Sequence, residues 1–183
     1  LLQESPLKYG PQVDVLVGTG PFVPPEAQDG LLRRGLRRAH PWLGRHVDLT
    51  VPTAASGVER VRAGGAAGLL LPTDVLVQPY AATVRRRWLE RHRVVEVSGP
   101  HELGTVPVSM LVLGVGQEPA PLPVFGVPPA DILRLENVPF DPDLRPGDVA
   151  LVEKIRALSV PLKRVAKLDT GLLAHGPQGS QHR

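Results

Sequence analysis

The chain has 183 residues, 42% of them hydrophobic and only 4% aromatic, and a formal charge of +3. That length allows one domain with a real core, filled mostly by aliphatic side chains. The absence of Cys excludes disulfides and thiolate metal sites. No apolar run approaches the roughly 20 residues needed to cross a bilayer. No secretory signal is visible, so the cytoplasm is the expected location. The six His residues are scattered without metal-ligand spacing, and no metal site is expected. The basic balance, with a pI near 9.7, suits nucleic acid as well as an ordinary basic soluble protein. The sequence opens at Leu1 rather than Met, which suggests a fragment.

Val13-Asp14-Val15-Leu16-Val17 is a short apolar run ended by Gly18, and it reads as a buried strand. A Gly- and Pro-rich loop follows to Pro25. Asp29 then stands as N-cap of an amphipathic helix over Gly30 to Arg38, with Leu at helical spacing and Arg on the other face. A second helix is predicted from Asp48 to Arg62, with Gly64-Gly65 as its C-terminal stop. Ala66 to Leu71 is a second buried strand. Gln78 to Arg91 reads as a helix, with Tyr80 and Trp88 as core residues. His92 to Val97 and Val106 to Val115 are two more strands, joined by a loop from Ser98 to Thr105 too short for a crossover helix. A further strand is predicted at Pro123-Val124-Phe125, a short helix at Asp148 to Arg156, and a strand at Pro161 to Leu168. The polar tail from His175 to Arg183 reads as disordered. The alternation of strands and helices predicts an α/β fold: a mostly parallel sheet with an antiparallel terminal hairpin.

Several of these segments, in this order, resemble the later half of the TaqI-like adenine-N6 DNA methyltransferases of restriction–modification systems. Val13-Asp14-Val15-Leu16-Val17-Gly18-Thr19-Gly20-Pro21-Phe22 is similar to the family's strand leading into G-N-P-P-[YF]. Gly64-Gly65-Ala66-Ala67-Gly68-Leu69-Leu70-Leu71-Pro72-Thr73 resembles its next turn and strand. Leu89-Glu90-Arg91-His92-Arg93-Val94-Val95-Glu96-Val97 and Val108 to Leu113 match the strands that follow. Leu151-Val152-Glu153-Lys154-Ile155 and Val160 to Val165 resemble the passage into the target-recognition domain. The resemblance covers roughly residues 13 to 170. It implies a partial Rossmann-like methyltransferase sheet over residues 1–127, then a linker and a stub of the recognition domain over 128–183.

The resemblance also implies a chemistry. Such enzymes flip the target adenine out of the duplex. An Asn side-chain oxygen and a Pro carbonyl accept its two N–H bonds, which aims the amino lone pair at the methyl group of S-adenosylmethionine. An aromatic residue stacks on the base. By position Thr19 replaces the Asn, Gly20 and Pro21 stand for the two prolines, and Phe22 keeps the stacking role. Thr19 offers an acceptor on a shorter arm than an amide, so impaired or lost catalysis is expected. Asp14 is either a strand-flanking carboxylate or a cofactor-pocket residue. Arg85-Arg86-Arg87 is either a solvated helix face or a set of phosphate contacts. No glycine-rich cofactor turn follows a first strand here. Cofactor binding by this chain alone is therefore not expected, and a second chain or an upstream segment would complete the site. Two other classes remain open: a catalytically silent DNA-binding or scaffolding subunit, and a decayed fragment.

Overall fold

The computed structural model describes residues 11–43, 47–119 and 126–166. The predicted strand at residues 123–125 and the polar tail lie outside them. The chain divides into two units, Leu1–Val149 and Ala150–Arg183.

The first unit holds a sheet of four strands: β1 (Val13–Thr19), β2 (Val61–Pro72), β3 (Arg93–Leu103) and β4 (Val106–Gly114). Their order across the sheet is β1-β2-β4-β3. The α/β class and the antiparallel terminal hairpin are as expected. The expectation of a mostly parallel sheet is wrong: only β1 and β2 pair in parallel, and β4 is antiparallel to both β2 and β3. The reason is spatial order. β3 runs in the same direction as β1 and β2, as the strand–helix rhythm requires. But β4 returns through the two-residue turn Gly104–Thr105 and inserts between β2 and β3. The parallel contact is thereby replaced by two antiparallel ones.

The helices of this unit are α1 (Gly30–Ala39), α2 (Thr50–Val58), α3 (Thr73–Val77), α4 (Ala82–Arg91) and α5 (Pro129–Arg134). Asp29 caps α1 as its sequence position suggests, accepting the Leu32 N–H at 2.7 Å. The second helix is shorter than expected, and Gly64-Gly65 does not end it. Both glycines lie inside β2. Gly64 has φ +85° and donates its N–H to the Val115 carbonyl, while Gly65 sits so close to the Asp14 carbonyl that a Cβ would overlap it. The pair therefore serves a strand irregularity. The predicted helix from Gln78 starts only at Ala82, behind a 3-10 turn over Pro79–Ala81. α3 and α5 were not foreseen, being too short to show a periodicity.

One face of the sheet carries the core. Leu69 and Leu71 of β2, Leu111 and Leu113 of β4, and Val94 and Val97 of β3 are buried. α2 and α3 pack on β2, and α4 packs on β3 and on α5. They contribute Val51, Val58, Leu76, Trp88, Leu89 and Ile132, all 3% exposed or less. Each such side chain stabilises the fold by roughly 1.5–3 kcal/mol. The expectation that β1 is a buried strand is wrong: it lies at the edge of the sheet, covered on one side only by β2, and its valines stay open, with Val15 61% and Val17 83% exposed.

α6 (Pro146–Leu158) agrees with the predicted helix and runs across the boundary between the units. Within the second unit the predicted strand at Pro161 to Leu168 is instead the short helix α7 (Leu162–Val165), and its last two positions fall outside the described residues. Pro161 fixes the N-terminus of that helix, and no strand neighbour for it exists among the described residues.

The junction between α4 and the sheet titrates. His92 follows α4, and its Nδ1 accepts the Gly116 N–H at 3.0 Å, so the neutral ring carries its proton on Nε2. Burial, then the neighbouring Arg91 guanidinium, hold the His92 pKa below its ordinary 6.5. The unfolded chain thus takes up a proton at a higher pH than the folded one. The stabilisation is full above pH 6.5 and is lost as pH falls from there through the folded value. We expect Tm to drop between pH 7.5 and 5.5, and to drop less in His92→Gln. An equal drop in the two chains would remove His92 from the account.

Candidate functional site

β1 ends at Thr19, and the loop Gly20 to Val23 leaves from the carboxyl end of the strand. In open α/β sheets this is the end where ligands bind. Thr19 Oγ1 donates to the Leu70 carbonyl of β2 at 3.0 Å. The hydroxyl hydrogen is thus committed, and the oxygen lone pairs remain as acceptors. Pro21's carbonyl is occupied twice, by the Val23 N–H at 2.9 Å and the Thr50 hydroxyl at 3.0 Å. No described hydrogen bond uses the Gly20 carbonyl. Phe22, two residues further along the loop, is half-buried. Thr19 Oγ1 and the Gly20 carbonyl are therefore consecutive acceptors, with an aromatic ring two residues on.

Thr50 holds the loop. It is fully buried at the start of α2, and its own N–H is bonded to Asp48 Oδ1 at 2.7 Å. A Cβ on Gly20 would lie 2.8 Å from Thr50 Cγ2 and 3.0 Å from Thr50 Cα. Thr50 thus excludes any larger residue at position 20. Sequence reasoning missed it, because nothing in the pattern around residue 50 says which loop it meets. Gln28, also buried, donates to the carbonyls of Val23 and Val47 at 3.0 and 2.9 Å and fixes the path from the loop into α1.

The other candidates do not join this loop. Asp14 lies near the amino end of β1 and pairs with Arg62. Thr19 lies five strand positions further on, about 16 Å away.

The three consecutive arginines of α4 have separate fates. Arg85 is fully buried: Nε donates to Val138 O at 2.8 Å, Nη1 to Val75 O at 2.5 Å, and Nη2 to Gln78 O and Asn137 O at 2.8 and 2.5 Å. Burial lowers its pKa to about 10, so it remains a cation at neutral pH. In this fold its guanidinium cannot reach a phosphate. Arg86 donates to the Leu133 carbonyl at 3.0 Å. Arg87 lies 4.9 Å from the Trp42 ring centroid and 3.6 Å from Glu59. Tyr80 is half-buried, and burial followed by the nearby Asp48 and Asp74 raises its pKa to about 12. Among the described residues no cluster of His, Asp or Glu can hold a metal ion. Nor is any helix there long and apolar enough to cross a membrane.

No protein-family profile and no curated protein matches the chain. Among solved structures it is similar to the EcoKI M protein of a type I restriction enzyme, at 15% identity and a TM-score of 0.47 over 62% of this chain and 23% of that one. It is also similar to a chain of a type I R-M system at 16% identity, TM-score 0.46, covering 61% and 23%. A third is the methyltransferase subunit of a type I restriction-modification system from Streptococcus thermophilus, at 16% identity, TM-score 0.39, covering 63% and 25%. The chain thus spans about a quarter of the length of each.

Proposed function

We propose that this chain is the base-binding half of an adenine-N6 DNA methyltransferase, with the cofactor-binding half supplied by another segment or chain. One observation carries this reading: the degenerate motif Thr19-Gly20-Pro21-Phe22 sits in the loop at the carboxyl end of β1, with two free acceptors and an aromatic ring in sequence. An extrahelical adenine has one exocyclic amino group with two N–H donors and one flat face. The two acceptors suit the donors, and Phe22 suits the face. The Thr19 oxygen is held back against β2 by its bond to Leu70. Its reach toward the base is shorter than that of an amide, and an error of about 1 Å costs on the order of a hundredfold in rate. The chain is therefore a base holder with weak catalytic alignment. S-adenosylmethionine supplies the methyl group in the complete enzyme, and these residues only orient the adenine.

The test is fluorescence of a duplex carrying one unpaired adenine next to a 2-aminopurine, whose emission rises when its neighbour leaves the stack. We expect the purified chain to capture the extrahelical base with a saturable signal. Phe22→Ala is expected to weaken capture at least fivefold, since base stacking contributes roughly 1–3 kcal/mol. Calorimetry with S-adenosylmethionine should show no heat. Base capture unchanged by Phe22→Ala would remove the pocket, and one-to-one cofactor binding would remove the division into halves.

A further inference from the structure

α1 contributes almost nothing to the core. None of its ten residues is buried, and four of them are Arg: Arg33, Arg34, Arg37 and Arg38, all exposed. The helix contains no acidic residue, and no described ion pair involves any of the four. Their charge alone exceeds the +3 of the whole chain.

This arrangement does not serve the helix. Arg33 with Arg37, and Arg34 with Arg38, are like charges at i,i+4, each pair costing about 0.2–0.5 kcal/mol. Gly30 and Gly35 lower its propensity further. Arg37 and Arg38 in the last turn gain from the helix dipole, but Arg33 and Arg34 do not. At about 100° per residue the four side chains fall within one arc of roughly 140°, while Leu32 and Leu36 lie on the opposite side and are half-buried. The result is a strip of solvent-exposed guanidinium groups, with Arg37 Nε also donating to the Arg33 carbonyl at 3.4 Å. Its start is tied to the motif loop: Gln28 binds the Val23 carbonyl, and Asp29 caps the helix.

We propose that α1 is a phosphate-backbone contact surface for duplex DNA. This deepens the function proposed above by naming where the duplex rests. A row of guanidiniums matches a row of phosphates, and relief of the like-charge repulsion favours the bound state. Double-stranded DNA is the fitting polyanion because the base-holding loop lies a few residues away along the same chain.

The experiment is fluorescence anisotropy with a fully paired 24-base-pair duplex over a salt series. If all four arginines meet phosphates, affinity should fall on the order of a hundredfold between 50 and 200 mM salt. Arg34→Gln with Arg38→Gln should lower affinity about tenfold at 100 mM salt and reduce the salt slope by nearly two. The charge-matched pair Arg91→Gln with Arg93→Gln, exposed elsewhere, should change it less than twofold. Equal losses in the two double variants would overturn the proposal, as would no duplex binding at low salt. Binding to phosphatidylglycerol vesicles with the same dependence on Arg34 and Arg38, and weaker binding to DNA, would also overturn it. Circular dichroism of each variant checks that the fold is kept. The paired duplex has no free base, so failure here is distinct from failure of base capture.

Discussion

Arg85→Ala is expected to leave this chain largely unfolded at 25 °C. The guanidinium donates to four carbonyls, on Val75, Gln78, Asn137 and Val138. Those carbonyls come from the end of α3 and from the turn after α5, segments that are otherwise joined by the backbone hydrogen bond from Phe140 N–H to the Leu76 carbonyl at 2.8 Å. Removing the donors leaves the buried Val75 and Val138 carbonyls unpaired, at roughly 1–3 kcal/mol each, and leaves a cavity where the guanidinium was packed, at about 2–5 kcal/mol more. The sum approaches the whole stability of a typical domain, about 5–15 kcal/mol. The turn it anchors also holds Val138 at φ 45°, a conformation a β-branched residue rarely adopts. Arg85→Lys keeps the charge but offers at most three donors without the planar fork, so a loss of about 2–3 kcal/mol is expected. Arg86→Gln, with a single carbonyl partner, should cost about 1 kcal/mol. Urea denaturation of the three variants checks the order. An Arg85→Ala chain of wild-type stability would mean the interior of this region is not packed as described.

The second large effect concerns the motif loop. Gly20→Ala should destabilise by about 2 kcal/mol, the cost of forcing a methyl into filled space. Thr50 cannot yield, because it is buried and bonded to Pro21 and Asp48. Thr50→Ser removes the 2.8 Å contact with Cγ2 and keeps the hydroxyl. The pair Gly20→Ala with Thr50→Ser should therefore recover about half of the loss, a coupling of about 1 kcal/mol in a double-mutant cycle. Purely additive effects would sink the idea that Thr50 dictates glycine here. Thr19→Asn meets no such barrier, since Thr19 is exposed, and losing the hydroxyl's bond to Leu70 should cost about 0.5–1.5 kcal/mol at most. The two departures from the methyltransferase-like motif thus differ in kind. One is an exposed position held by a single hydrogen bond to Leu70, and the other is enforced by packing.

Much of this was legible in the sequence. The apolar run at Val13, the Asp29 cap, the arginine-rich helix after it and the hairpin near residue 104 follow from periodicity, capping chemistry and loop length. These are local rules, and local rules act wherever the residues stand. The resemblance likewise singled out Thr19 to Phe22, and the fold sets that loop at the carboxyl end of a strand.

What the sequence could not decide are the contacts between distant segments. Strand directions were legible, but the insertion of β4 between β2 and β3 was not, because strand order across a sheet is set by contacts between segments far apart in the chain. Three adjacent arginines looked alike on paper. Only the packing of α5 and its turn against α4 buries Arg85 among carbonyls and leaves Arg86 and Arg87 nearer the surface. Gly64-Gly65 read as a helix stop because glycine signals an unusual backbone without saying which one. Thr50 had no signal at all, since its partner Pro21 lies 29 residues away. Composition and spacing fix elements and candidate chemistry, whereas burial, pairing order and the occupancy of each donor and acceptor belong to the tertiary structure.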